Sequence, residues 1–450
     1  MTRTLVKSGM IVTMDPAVPD LPRGDVLVEE DRIAAVGASI DAADAEIIDA
    51  AGFIVMPGFV NAHIHTWQTG LRGVAADWTI LEYLHNMHAA IAPRFRPADI
   101  FISNLVGALN QLNSGATTIV DWCHNNPSPA HTDAAIDGLA EAGIRAVFLH
   151  GSPKPDAAPG QKHFSEILHP RAEIERLARD RLSSRDGLVT LGMAILGPAY
   201  STYEVSRHDL ALAREAGMLV SMHVGGGAMR TPDGFPRLLA EGLIDGHVNI
   251  VHGNNLTLAE LRPLVEAGAT VTVTPEVELQ MGFGPCLTGR LRALGSAPSI
   301  GSDVESGIGS DMFTNMRMAL QAQRALDNQE VLERTRKAPE HLSIGCREAL
   351  EWATINGARM AGLDRRIGSL TPGKEADLIL LRANDLNLFP VVDPIRSIVL
   401  HASIANVDTV MVAGRVVKRG GRLLYGDLAR RKAELAEASR RILEHGGYIQ

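Results

Sequence analysis

Between residues 54 and 302 the chain repeats one pattern: a short apolar run, a longer stretch of helical periodicity, then another apolar run. The runs are IVMPGFV (54 to 60), ATTIVD (116 to 121), IRAVFL (144 to 149), LVTLGMAI (188 to 195), MLVSMH (218 to 223), HVNIV (247 to 251), ATVTVT (269 to 274) and PSIGS (298 to 302). Such runs read as buried strands. The segments between them, such as PADIFISNLVGALNQLNSG and SRHDLALAREAG, close on a glycine suited to a helix end. Eight β/α units predict an α/β chain whose residues 57–364 form a TIM-type (β/α)8 barrel.

The flanks read differently. Residues 1 to 50 alternate and turn, with GDVLVEEDRIAAVG bending at Glu30 and Asp31, and strand patterns return in EADLILL and VDTVMVAGRVVKRGGRLL. Because barrel termini lie near one another, residues 1–56 and 365–425 are expected to meet in one small composite β-sandwich. A last amphipathic helix, 426–450, keeps Leu428, Leu435, Ile442 and Leu443 on one face, which suits packing or a homodimer better than a membrane surface.

Composition narrows the function classes. With 46% hydrophobic and 21% charged residues and no low-complexity tract, the chain reads as soluble and globular. Its net charge of −9 is diffuse and offers no basic stripe for nucleic acid. No apolar stretch reaches the ~18 residues of a membrane span, and no signal-type segment opens the chain. Cys123, Cys286 and Cys346 are widely spaced without a CxxC, which excludes a thiolate zinc site and fits a reducing cytoplasm.

Barrel enzymes gather their chemistry where strands end. Here His63 and His65 follow the first run, His223 ends the fifth, His252 follows the sixth and Asp303 follows the eighth. In NAHIHT the two histidines stand two apart, so on extended backbone both rings point to one side and can share an ion. His223 and Asp303 complete a set of three nitrogens and one oxygen, leaving room for water or a small-molecule substrate, as a catalytic metal site requires. Each residue alone has an ordinary reading: a solvated strand end, a hydrogen-bonded core histidine, a helix cap. Their recurrence at successive strand exits is what favours a metal. The glycines of SMHVGGG are no phosphate loop, because the lysine and spacing of one are absent.

Trp67, Gln68, Trp78, His85 and His88 occupy the long segment after the first run and are predicted to roof the pocket, the aromatics against a flat substrate. His85 and His88 are three apart, which on an α-helix puts them on one side. Trp122, Cys123 and His124 follow the second run and line the same mouth, Cys123 as packing.

The blocks IVMPGFVNAHIHTWQTGLRG, MHVG, VHGNNLT, GSDVESG, ATINGARMAGL and IGSLTPGKEADLILL resemble successive blocks of the amidohydrolase superfamily, and within it the cytosine-deaminase and chlorohydrolase-like branch. The resemblance implies a metal-carrying barrel with His63, His65, His223 and Asp303 as ligands and His252 beside the reactive oxygen. Some members carry a carboxylated lysine after the fourth strand that bridges a second metal. The corresponding LVTLGMAILGPAYST has no lysine, so one divalent ion is implied, zinc first and iron(II) or manganese(II) next. In the family's scheme the ion lowers the pKa of a bound water towards ~7, Asp303 takes its proton, and His252 donates to the oxygen that gains charge.

The sequence departs from the deaminase pattern at two places. Where deaminases have HxxE after the fifth strand, this chain has His223 followed at the glutamate position by Gly226, which reads as opened space in the substrate pocket. Where they have a PHxPYT-like block, GPAYST offers Pro198, Ala199 and Tyr200. Glu276 and Glu278 in TPEVELQMG share a side if extended, and with Glu305 they are the candidates to replace the missing catalytic carboxylate. The predicted activity is mononuclear metal-dependent hydrolysis of a non-peptide C–N bond in a small cyclic amide, amide or aryl amine. One alternative is metal-assisted closure of a benzoxazole-type ring with loss of water, as in natural-product pathways. Another is a catalytically silent metal-binding protein, against which His252 and Asp303 count, since a structural site needs no proton-transfer partners.

Overall fold

A computed structural model describes residues 2–444, so positions 445–450 of the expected C-terminal helix lie outside the described residues. Eight parallel strands form one sheet whose spatial order follows the chain: β1 (Phe59–Ile64), β2 (Ala116–Cys123), β3 (Arg145–Gly151), β4 (Val189–Ile195), β5 (Val220–Val224), β6 (Val248–His252), β7 (Thr270–Val273) and β8 (Ser299–Ile300). Helices such as Pro97–Asn113, Pro129–Ala142, Tyr203–Glu215 and Leu258–Glu266 supply the crossovers that parallel pairing demands.

The two ends of the sheet meet at a seam between β1 and the chain just past β8. There Ser302 and Asp303 each donate a backbone N–H to His63 O at 2.9 Å, and His65 N donates to Asp303 O at 2.8 Å. Approach this close requires Gly301, since a Cβ there would lie 2.6 Å from His63 Cβ. The bonds that close the barrel thus also hold His63, His65 and Asp303 together.

A second, nine-stranded sheet combines N- and C-terminal strands. Its join is the antiparallel pair of Phe53–Pro57 with Leu378–Arg382, with Leu380 opposite Val55. Val6, Val26, Ile33, Val55, Leu378, Leu380 and Met411 form its own core. IVMPGFV, expected as one strand, is divided between the two sheets. Pro57 and Gly58 interrupt it: Phe53–Pro57 pairs in the second sheet, and β1 starts the barrel at Phe59. Beneath β3, Arg145 is buried against Asp377 and Glu375, which ties the barrel's N-terminal end to that sheet. The helix Leu428–Glu444 buries Leu435, Ile442 and Leu443 and packs on helix Pro97–Asn113.

Candidate functional site

Three places on the barrel rim bring the four predicted ligands together. Strand alternation turns His63 and His65 to one side of β1, His223 comes from β5, and Asp303 comes from the seam. All four are buried, with donor atoms within 4.8 Å of one another. His63 Nε2 stands 3.2 Å from His223 Nε2, and Asp303 Oδ1 lies 3.3 Å and 3.1 Å from Nε2 of His63 and His65. A tetrahedral ion with bonds of ~2.0 Å separates its ligands by roughly 3.3 Å, so the donor set fits one.

The protonation states fit as well. His65 Nδ1 lies 2.5 Å from Trp122 O, so it donates to that carbonyl and Nε2 is left for a ligand. Burial pushes the His63 imidazole down to about 4, and it lowers His223 further with help from His63 and Lys154, so both rings are neutral as metal binding requires. Burial alone would raise Asp303, yet hydrogen bonds with His63 and His65 hold its carboxyl well below the usual range.

His252 sits at the edge of this cluster, its Nε2 3.8 Å from Asp303 Oδ2. Its other nitrogen, Nδ1, lies 3.3 Å from Glu278 Oε1 and 3.1 Å from Thr274 Oγ1. Both His252 (φ 68°) and Asp303 (φ 63°) take the left-handed conformation, which costs a non-glycine residue ~1–2 kcal/mol. The seam bonds at Asp303, and Gly253 N donating to Val224 O at 2.7 Å beside His252, hold these turns in place.

Glu276 and Glu278 do not share a side. They lie on a short helix, Pro275–Gln280, where residues two apart diverge. Glu278 is wholly buried behind His252 and accepts from Asn254 Nδ2 (3.1 Å) and Thr274 N (2.8 Å). Burial would raise its carboxyl, but the hydrogen bond and charge of His252 more than offset this. Glu276 faces Asn315, away from the cluster, and Glu305 is taken by Arg72 Nη2 (2.6 Å), Asn110 Nδ2 (2.9 Å) and Ser310 Oγ (2.8 Å). Neither Glu276 nor Glu278 lines the chamber in front of the metal set.

That chamber measures about 30 Å³, room for one water. Ile80, Tyr83, Leu84 and His88 roof it; His124, Lys154, Tyr200, Met281 and Phe283 wall it. A larger groove of about 760 Å³, between helix Leu428–Glu444 and helix Pro97–Asn113, contains none of the metal set.

The predicted substrate contacts are replaced by other residues. Trp67 is buried behind the wall and donates Nε1–H to His124 Nδ1 (3.0 Å), while Gln68 donates to Tyr83 Oη (2.6 Å). Trp78 packs at the edge of the core, outside the chamber lining. His85 is exposed although His88 points inward, because Leu84–Ile91 is a π-helix, whose wider i→i+5 turn does not return a residue to the same face after three steps. His124, with Nδ1 accepting from Trp67, directs Nε2–H to His88 Nε2 at 3.1 Å, and burial keeps both rings neutral.

Gly226 marks filled space. Its φ is +78°, and a Cβ would stand 3.1 Å from Ile80 Cγ1 and 3.2 Å from Tyr200 Oη, the hydroxyl that donates to Gly225 O at 2.6 Å. Lys154, three residues past β3 in GSPKP, went unflagged, although the strand-exit rule that selected the histidines applies to it. Its side chain is buried, with Nζ 4.9 Å from the Tyr200 ring centre and 5.5 Å from that of Trp122. Among the described residues it has no hydrogen bond or ion pair. Burial draws its ammonium down to about 8, against the pull of Asp303.

Known proteins bear on this geometry. The model of a family described as the amidohydrolase family matches residues 54–234 and 287–417. A 5-methylthioadenosine/S-adenosylhomocysteine deaminase of Desulforudis audaxviator is 29% identical, covering 98% of this chain and 99% of that protein. A 5'-deoxyadenosine deaminase of Methanothermobacter thermautotrophicus is 28% identical over 89% and 90% of the two chains. A zinc-bound adenosine deaminase structure from Xanthomonas campestris superposes with a TM-score of 0.82 at 24% identity, covering 98% of this chain and 99% of that one.

Proposed function

The chain belongs to the amidohydrolase family, and from that premise we propose that it is a mononuclear metal-dependent hydrolase cleaving a non-peptide C–N bond in a small cyclic amide, amide or aryl amine. The observation that carries this reading is the convergence of three imidazoles and one carboxylate at the barrel rim, with a Glu278-backed His252 at their edge. His63, His65, His223 and Asp303 would hold the ion, and zinc suits a set of three nitrogens and one oxygen. A divalent cation there supplies Lewis acidity and a water that ionises near neutral pH.

The chain's own groups then divide the proton work. Asp303 Oδ2, 3.8 Å from His252 Nε2, is the carboxylate oxygen on that side of the cluster and would accept the proton. Glu278 Oε1, 3.3 Å from Nδ1, aims the His252 ring so that Nε2–H can donate as charge develops on the substrate. Gly226 contributes no side chain, and Ile80 and Tyr200 occupy the space beside it, which argues against the ring-nitrogen protonation used by nucleoside deaminases. The relatives are named as deaminases, so the ring-closing alternative gains no support. The His252–Glu278 pair argues against a silent metal carrier. The chamber in front of the set measures about 30 Å³, with Ile80, Tyr83, Leu84 and His88 on its roof.

The test is product identification by mass spectrometry, with zinc-loaded enzyme against lactams, aryl amides, aminated heterocycles and ortho-hydroxy aryl amides. Metal-dependent release of ammonia or amine is expected, and His63→Ala or His223→Ala should lose both ion and turnover. A ring-closed product, no turnover with any divalent ion, or a fully metallated and active His63→Ala would refute the assignment.

A further inference from the structure

Lys154 is a buried ammonium in the chamber wall with no ion pair or hydrogen bond among the described residues. The ring faces of Tyr200 and Trp122 lie against it, and the one acid among the described residues that line the chamber, Asp303, is engaged by His63 and His65. An ammonium with little access to water and no hydrogen-bonded anion is costly, and ring faces recover only part of that cost. Such a group persists where a ligand supplies the missing charge. Once a dication joins the three imidazoles and one carboxylate, the chamber carries still more positive charge, and its low-dielectric walls strengthen the attraction for an anion. Tyr83, Tyr200 and Phe283 give those walls an aromatic character suited to a flat molecule.

We propose that Lys154 is the specificity determinant of this site, and that the substrate is a small aromatic or heteroaromatic molecule carrying a carboxylate that pairs with the Lys154 ammonium while its C–N bond faces the His63, His65, His223 and Asp303 set. This rests on the reading of the chamber as the substrate site.

The probes are benzoate and its neutral counterpart benzamide, titrated calorimetrically into the zinc-loaded full-length enzyme and its Lys154→Met and Lys154→Arg variants. Benzoate is expected to bind wild type at least tenfold tighter than benzamide. Lys154→Met should lose at least tenfold for benzoate with benzamide affinity and zinc content unchanged, and Lys154→Arg should keep most of the preference. Equal benzoate affinity in wild type and Lys154→Met would mean that the metal alone takes the carboxylate, and would overturn the proposal. So would benzamide binding as tightly as benzoate, or no benzoate binding at all. If Lys154→Met does not fold, Lys154→Gln makes the same comparison. Lys154-dependent benzoate binding in an enzyme that releases no ammonia or amine would sink the hydrolase reading and keep the anion site; turnover without such binding would do the reverse.

Discussion

Strand β3 has a buried cation near each end, and the two could hardly be treated more differently. Arg145, at its start, meets Asp377 through Nε (2.9 Å) and Nη2 (3.0 Å) and Glu375 through Nη2 (2.5 Å). Despite burial, these two carboxylates keep the guanidinium firmly charged. Lys154, just past the strand's end, has aromatic faces and no ion-paired acid among the described residues. The N-terminal end of the barrel has its charges satisfied by the fold, and the C-terminal end leaves one open. That division matches the general rule for barrels, stability below and chemistry above.

The contrast breaks most visibly in stability. Arg145→Met strands the buried Asp377 carboxylate, while Glu375 keeps Arg366, and should cost about 3–5 kcal/mol in urea denaturation, whereas Lys154→Met should be neutral or stabilising because it removes a charge without an ion-pair partner. Comparable losses in both would erase the distinction. Glu278→Gln probes a buried acid that is paired but serves the site: turnover should fall about 10–100-fold with zinc retained. Undiminished turnover would reduce Glu278 to packing.

The pH dependence of stability separates the two cations again. Lys154 in the native chain gives up its proton near 8, while the unfolded chain holds it up to the ordinary value of 10.5. Between those values the unfolded state binds more protons, so stability rises with pH. Wild type should therefore gain on Lys154→Met across that window, and parallel profiles would refute it; Arg145 does not titrate there. The smallest effect is expected at Gly226, where Ala must adopt φ +78° beside Ile80 and Tyr200. A loss of about 1–2 kcal/mol, read as a lowered denaturation midpoint, would confirm filled space, and no loss would restore the open pocket.

The barrel was legible because eight apolar runs at crossover spacing leave few other arrangements, and the metal set because HxH on a strand needs only the two-residue pleat. The second layer was not legible. Glu278 looked like a substrate group until the helix Pro275–Gln280 turned it behind His252, and His85 looked equivalent to His88 until the π-helix rotated it outward. Trp67 and Gln68 fell in the right segment but act from behind, one holding His124 and the other Tyr83.

Local chemistry, read residue by residue, was enough to determine the fold class, the family and which four donor side chains cluster at the rim, because each depends on spacing along a strand or on which residue type stands at a strand's end. Which groups face the chamber was decided only in three dimensions. Facing depends on helix type, on the closeness of Gly301 to His63, and on whether a buried charge such as Lys154 finds a partner from a distant segment, and none of these is encoded in the spacing of neighbours along the chain.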